Sequence, residues 1–105
     1  MVARVTLAEV DTVRMRLDDA IELFKESVIP ALHDQEGYAG AYVLATPAGK
    51  ALTMTFWDSE DAADEGLASG FYRKQVEKFV TLFRAPPGRE TYQVVAAEAP
   101  LAHIE

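Results

Sequence analysis

The sequence predicts a ferredoxin-like α+β fold, a βαββαβ chain with one antiparallel sheet and its helices on one face. Three observations carry this reading. Short stretches with alternating side chains, rich in Val, Thr, Leu and Tyr, recur along the chain. Stretches with helical spacing separate the first of them from the second and the third from the last. A short turn, Thr46-Pro47-Ala48-Gly49, joins the second to the third directly, as in a hairpin.

The first strand runs from Val2 to Val10, with Val5 and Leu7 on one face and Val2 and Val10 on the other. After a polar bridge from Asp11 to Arg16 a helix begins. Asp18 reads as its N-cap, and Asp19 and Glu22 favour the positive end of its dipole. Leu17, Ile21, Phe24, Val28 and Leu32 form one apolar stripe. Pro30 interrupts this helix, which costs ~3 kcal/mol in a regular interior. Because the stripe resumes at Leu32, a kink is expected rather than an end. Gly37 ends the helix and Gly40 opens the next strand, over 39–46.

The third strand spans Lys50 to Trp57, and Ser59 caps the helix after it, with Glu60 and Asp61 in its first turn. Ala62, Ala63 and Leu67 are the apolar positions of that helix. Gly70 breaks it. A second helical piece carries Tyr72, Val76, Phe79 and Phe83, and Ala85-Pro86-Pro87-Gly88 stops it. The last strand is expected over 90–98. One domain, 1–98, is followed by a short tail, 99–105.

The strands are apolar on both faces. The second offers Ala41, Val43 and Ala45 on one side and Tyr42 and Leu44 on the other. In the third, Leu52, Met54 and Phe56 read as core, while Thr53, Thr55 and Trp57 occupy the opposite face. A sheet with two apolar faces needs two covers. The helices supply one, and the same face of a second copy in a two-fold dimer supplies the other. On this reading Trp57 marks the dimer seam or walls a ligand site.

Composition narrows the function classes. The 10 basic and 17 acidic residues leave a net charge of −7, which repels nucleic-acid phosphates and anionic membranes. Without cysteine there is no disulfide, thiolate nucleophile or zinc-thiolate site. The start, Met1-Val2-Ala3-Arg4-Val5, lacks the pattern of a signal peptide, and no apolar run approaches a membrane span. A soluble, cytoplasmic protein is the expectation.

Two segments, Val28-Ile29-Pro30-Ala31-Leu32 leading into Glu36-Gly37-Tyr38-Ala39-Gly40, and Thr55-Phe56-Trp57-Asp58-Ser59-Glu60-Asp61-Ala62, resemble the dimeric α/β-barrel superfamily. The branch in view is the antibiotic-biosynthesis-monooxygenase-like (ABM-like) proteins, and the resemblance runs from Val2 to Glu98. It implies a homodimeric α/β barrel with a ligand held between the sheet and helices of each subunit. It also implies cofactor-independent monooxygenation of a hydrophobic aromatic small molecule, with a non-catalytic binding or dimerisation module of the same fold as the alternative. No metal or cofactor is implied. Trp57 matches the tryptophan that such proteins carry near the end of the third strand. The haem-degrading branch resembles a pattern with an asparagine in the first strand and a histidine on the helix after the tryptophan. This chain has no asparagine and reads Asp64-Glu65-Gly66-Leu67-Ala68 there, which argues against haem degradation.

The candidate substrate-binding residues are Trp57, Thr55, Tyr42 and Tyr72, and no catalytic residue is assigned. Trp57 can stack on an aromatic ligand or simply pack. Thr53 and Thr55 share its face and can hydrogen-bond a ligand or serve only β-propensity. Tyr72 lies on the apolar stripe of the last helix. Tyr42 is similar, although a register slip of one residue would move it to the other face. His33 falls opposite the Ile21–Leu32 stripe and reads as solvated, as does the cluster Arg73, Lys74 and Lys78. His103 belongs to the tail. Capping and dipole effects account for Glu60, Asp61, Asp64 and Glu65 without a metal.

Overall fold

The computed structural model describes residues 1–85 and 87–98, apart from the side chain of Leu67. Pro86, the side chain of Leu67 and the tail with His103 therefore lie outside the described residues. The elements are β1 (Val2–Glu9), α1 (Leu17–Leu23), a π-helical turn (Phe24–Val28), α2 (Ile29–His33), β2 (Tyr38–Ala45), β3 (Lys50–Trp57), α3 (Glu60–Ala68), α4 (Phe71–Glu77), a 3₁₀ turn (Val80–Leu82) and β4 (Gly88–Gln93). The strands form one antiparallel sheet in the order β2-β3-β1-β4. Two βαβ units thus interlock, each with a strand of the other between its own two, which is the ferredoxin-like arrangement.

Local chemistry explains most boundaries. Asp18 is not the N-cap. Arg16 takes that position without a side-chain cap, and Asp18 and Asp19 lie in the first turn, where they complement the dipole. The expected kink at Pro30 takes the form of the π-helical turn just before it. A proline ring crowds the carbonyl four residues back, and a wider turn moves that carbonyl aside. Ser59 does cap α3, its Oγ accepting the Ala62 N–H at 3.1 Å. Gly70 adopts a φ of 82° between α3 and α4.

Three boundaries depart from the sequence reading. The helix expected to run to Gly37 ends at His33, with Asp34 as its C-cap. The last helix ends at Glu77 rather than near Phe83, and Phe83 instead bridges Val10 beyond the end of β1. The last strand begins at Gly88 and ends at Gln93. Its partner explains the early end: β1 starts at Val2, paired with Gln93, and the Val94 N–H makes a last bond to the Met1 carbonyl. Beyond that point none of the described strands lies beside Val95, which is exposed.

Gly37 joins α2 to the sheet with a φ of +81°, and a Cβ there would lie 2.6 Å from the Ala62 Cβ. The carbonyl of Gly37 also accepts the Asp58 N–H at 2.8 Å, tying the end of β3 to this turn. Gly37→Ala is expected to cost about 1–3 kcal/mol from backbone strain and overpacking. Thermal unfolding followed by circular dichroism should show the midpoint fall by about 5–15 °C; an unchanged midpoint would contradict the close packing of this turn on α3.

The core contains Val2, Val28, Leu32, Trp57 and Ala63, so it lies between the helices and one face of the sheet. The register Val2↔Trp57, Arg4↔Thr55 and Thr6↔Thr53 puts these residues on that face. This reverses the sequence assignment of the two faces. The helices cover Trp57, Thr55 and Thr53, whereas Leu52, Met54 and Phe56 belong to the face that none of the described helices covers. Trp57 is only 4 % exposed within one chain and needs no second subunit to bury it. On the outer face Leu7, Leu44 and Tyr92 are exposed.

Candidate functional site

Between the helices and the sheet lies a cleft of about 130 Å³, partly open to solvent. All members of the predicted helix stripe, Leu17, Ile21, Phe24, Val28 and Leu32, line it. The π-helical turn holds two of them, Phe24 and Val28. Phe71, Val76, Phe79 and Phe83 close the other side, with the Phe79 and Phe83 rings stacked at 6.2 Å. The roof is therefore apolar. The floor is the sheet face, and it is more polar: Arg4 and Thr6 from β1, Thr53 and Thr55 from β3. Tyr72 and Gln75 of α4 add polar groups opposite.

Trp57 sits at one end of this floor. Its indole N–H donates to the Thr55 Oγ1 at 3.0 Å, two residues back on the same face. Trp57 thus engages one of the two acceptor positions of the Thr55 hydroxyl, and the hydroxyl hydrogen is left to donate elsewhere. Tyr38 packs edge-on against Trp57, with ring centroids 5.7 Å apart, and against His33 at 5.5 Å. Burial raises the Tyr38 pKa above the usual tyrosine value, because the phenolate would be poorly solvated there. His33 is otherwise exposed, as its position off the stripe implies.

Tyr72 reaches the floor through its hydroxyl, 3.1 Å from the Thr6 Oγ1. The Arg89 guanidinium lies over its ring at 5.2 Å, a cation–π contact that fixes the ring from the β4 side. The sheet register pairs Thr6 with Arg89, so the two partners of Tyr72 are neighbours.

The structure brings Trp57, Thr55 and Tyr72 together around one cleft. It does not bring Tyr42 there. Tyr42 pairs with Met54 and meets the Phe56 ring edge-on at 5.8 Å, on the outer face of the sheet. As a wall of the site it is corrected. Period-two alternation had separated the faces of β2 properly; it could not say which one the helices cover.

Sequence reasoning missed Arg4. Its side chain is 6 % exposed, and it lies between the floor threonines. Its Nε donates to the Thr91 Oγ1 at 3.3 Å and its Nη2 to the Asp64 Oδ1 at 3.4 Å. The signal was present: Arg4 alternates in phase with Val2 and Val10, so its position in the strand puts a charge on the same face as those two valines. The other charged clusters are ordinary. Arg73 pairs with Glu77 at 3.2 Å on the exposed side of α4. Of the α3 acids, Asp64 is held by Arg4, and among the described residues no group of acids and histidines is arranged to hold a metal ion.

No protein-family model and no curated protein matches this sequence. Solved structures do resemble its fold. A monooxygenase from the gene ActVA-Orf6 of Streptomyces coelicolor, in complex with nanaomycin D, superposes with a TM-score of 0.73 at 20% identity, covering 94% of this chain and 91% of that one. SnoaB, a cofactor-independent oxygenase from Streptomyces nogalater, gives 0.71 at 14% identity and covers 97% of each chain. A protein of unknown function from Nitrosomonas europaea, NE2512, gives 0.69 at 20% identity over 96% of this chain and 95% of that one. At these identities the likeness establishes the fold. The chain shares the ferredoxin-like α+β fold of solved antibiotic-biosynthesis monooxygenases and related proteins, which cover 91–98% of its length. No helix among the described residues is long and apolar enough to cross a membrane.

Proposed function

We propose that this chain binds one hydrophobic aromatic small molecule beneath its helices and promotes its monooxygenation without a metal or organic cofactor. The observation that carries the reading is the cleft itself: an aromatic roof, Trp57 at one end, and a short row of hydroxyls along the floor. Its volume is comparable to the ~150 Å³ apolar cavity known to accept benzene. One ring fits inside, and a fused-ring molecule would project through the open side. Trp57 and Tyr72 wall the site, and the Thr55 hydroxyl donates to a ligand oxygen. The fold shared with a cofactor-independent oxygenase and with a monooxygenase that holds nanaomycin D adds support for the reaction class.

Cofactor-free oxygen chemistry requires the substrate to become an electron-rich anion, and the protein to stabilise it. Anthrone is a suitable probe. Its enolate reduces O2; one oxygen atom becomes the new carbonyl oxygen, and the other leaves as water with the two methylene hydrogens, giving anthraquinone. The protein is expected to raise the rate of oxygen uptake at least about 100-fold above protein-free autoxidation, the low end for one preorganised hydrogen-bond donor, with anthraquinone as product by chromatography. One observation favours the alternative, a binding module. Among the described residues that line the cleft there is no carboxylate and no imidazole, the side chains suited to act as a base near neutral pH. Binding of anthrone without oxygen uptake above the protein-free rate would select that alternative.

The assembly that completes this reading is a two-fold homodimer joined through the outer sheet faces. Leu7, Leu44, Tyr42 and Tyr92 leave a broad apolar surface there, with Leu52 and Met54 between them in register. An apolar face of this extent is costly in water, and a second copy offers a self-complementary cover.

A further inference from the structure

We infer that Arg4 makes the cleft selective for an anionic ligand, an aromatic carboxylate, phenolate or enolate, over its neutral isostere. The inference rests on the cleft being a ligand site, as proposed above, and names the class of ligand it takes.

Three features support it. The protein as a whole carries a net charge of −7, yet the described lining of the cleft contains an arginine and no carboxylate. The one formal charge of that described lining is thus opposite in sign to the charge of the protein. Second, Arg4 is incompletely matched by the protein. Its side chain is 6 % exposed, while that of Asp64, its one carboxylate partner, is 61 % exposed and 3.4 Å away. An acid so solvated neutralises a buried guanidinium poorly, since water screens its charge. Of the five N–H donors a guanidinium carries, the contacts to Thr91 and Asp64 engage two. The remaining donors belong to a side chain that lines the cleft. Third, its neighbours are pinned. Thr55 is held by Trp57, and Thr6 by Tyr72. An anion placed at Arg4 therefore meets a preorganised floor and can accept paired N–H bonds from the guanidinium fork.

Isothermal titration calorimetry of the full chain with 2-naphthoate and with neutral 2-naphthalenemethanol tests this. The two probes share a ring system and differ in charge. Wild type is expected to bind the carboxylate about 10- to 100-fold more tightly, the range for a charge-assisted pair. Arg4→Met should erase that preference and leave the affinity for the alcohol within about threefold, because Met keeps most of the packing volume. Arg4→Lys should retain part of the preference, as the charge survives without the fork. Asp64→Asn, an exposed change on α3 that does not depend on Arg4 variants folding, should tighten the carboxylate about threefold by removing a competitor.

Equal affinity for the two probes in wild type would overturn the inference and leave the cleft reading standing. A parallel loss of both probes in Arg4→Met, with no change for the carboxylate in Asp64→Asn, would also overturn it, since that is how a purely structural arginine behaves. Failure of both probes to bind wild type would overturn the inference and the ligand site together.

Discussion

Replacing Trp57 with alanine should remove about 3–5 kcal/mol of stability, the usual cost of deleting a buried indole. For a domain of this size, total stability is about 5–15 kcal/mol, so the variant would be marginal or unfolded at 37 °C. The reasons are specific. Trp57 is 4 % exposed, packs with Val2, Val28, Leu32 and Ala63, and donates its indole N–H to Thr55. It also terminates β3, where the chain turns into α3, so the cavity left behind would open at the junction of sheet and helix. Trp57→Phe should cost about 1–2 kcal/mol, since a ring remains but the bond to Thr55 is lost. Urea unfolding followed by circular dichroism measures both. If Trp57→Ala lost under 1 kcal/mol, Trp57 would not be a core residue. Calorimetry with 2-naphthalenemethanol then separates packing from ligand contact: Trp57→Phe should weaken binding several-fold while remaining folded, as stacking area shrinks. Unchanged affinity would remove Trp57 from the site and leave it to the core alone.

Leu7→Glu should convert a dimer into a monomer. Leu7 is 56 % exposed within one chain, faces outward from a central strand, and pairs with Leu52 in register. In a two-fold dimer packed through this face, the substitution places a carboxylate in each half of the seam. Burying an unpaired charge costs about 3–5 kcal/mol, which corresponds to a loss of at least about 100-fold in dimer affinity. The protomer should be unaffected, because glutamate at an exposed strand position meets water. Sedimentation velocity at micromolar concentration should therefore show a dimer for wild type and a monomer for Leu7→Glu, with matching circular dichroism spectra. A monomeric wild type, or a dimeric Leu7→Glu, would refute an interface on the outer face.

The site was only partly legible in the chain. Trp57, Thr55 and Tyr72 converge because each occupied a readable position: two on one strand face, one on a helix stripe. Tyr42 was drawn in by its chemistry and lost by its face. Arg4 was overlooked although its phase with Val2 was visible, because a charge in a strand reads first as a solvated edge. Its value as a site residue comes from its neighbours Thr91 and Asp64, which are far from it in sequence.

Periodicity, capping and turn chemistry are local properties, and they sufficed for the order of elements, for β3 to the residue, for the helix stripe that lines the cleft, and for the break at Gly70. The four-stranded topology followed from that order. Alternation separates two faces of a strand without labelling them, and here both faces are apolar. Which one the helices cover depends on how the two βαβ crossovers fold back over the sheet, a long-range outcome absent from any single segment. That placement reversed the roles of the β3 faces. It put Trp57 beneath the helices, left Leu52 and Met54 for the outer surface, and placed the strand arginine Arg4 on the floor of the cleft.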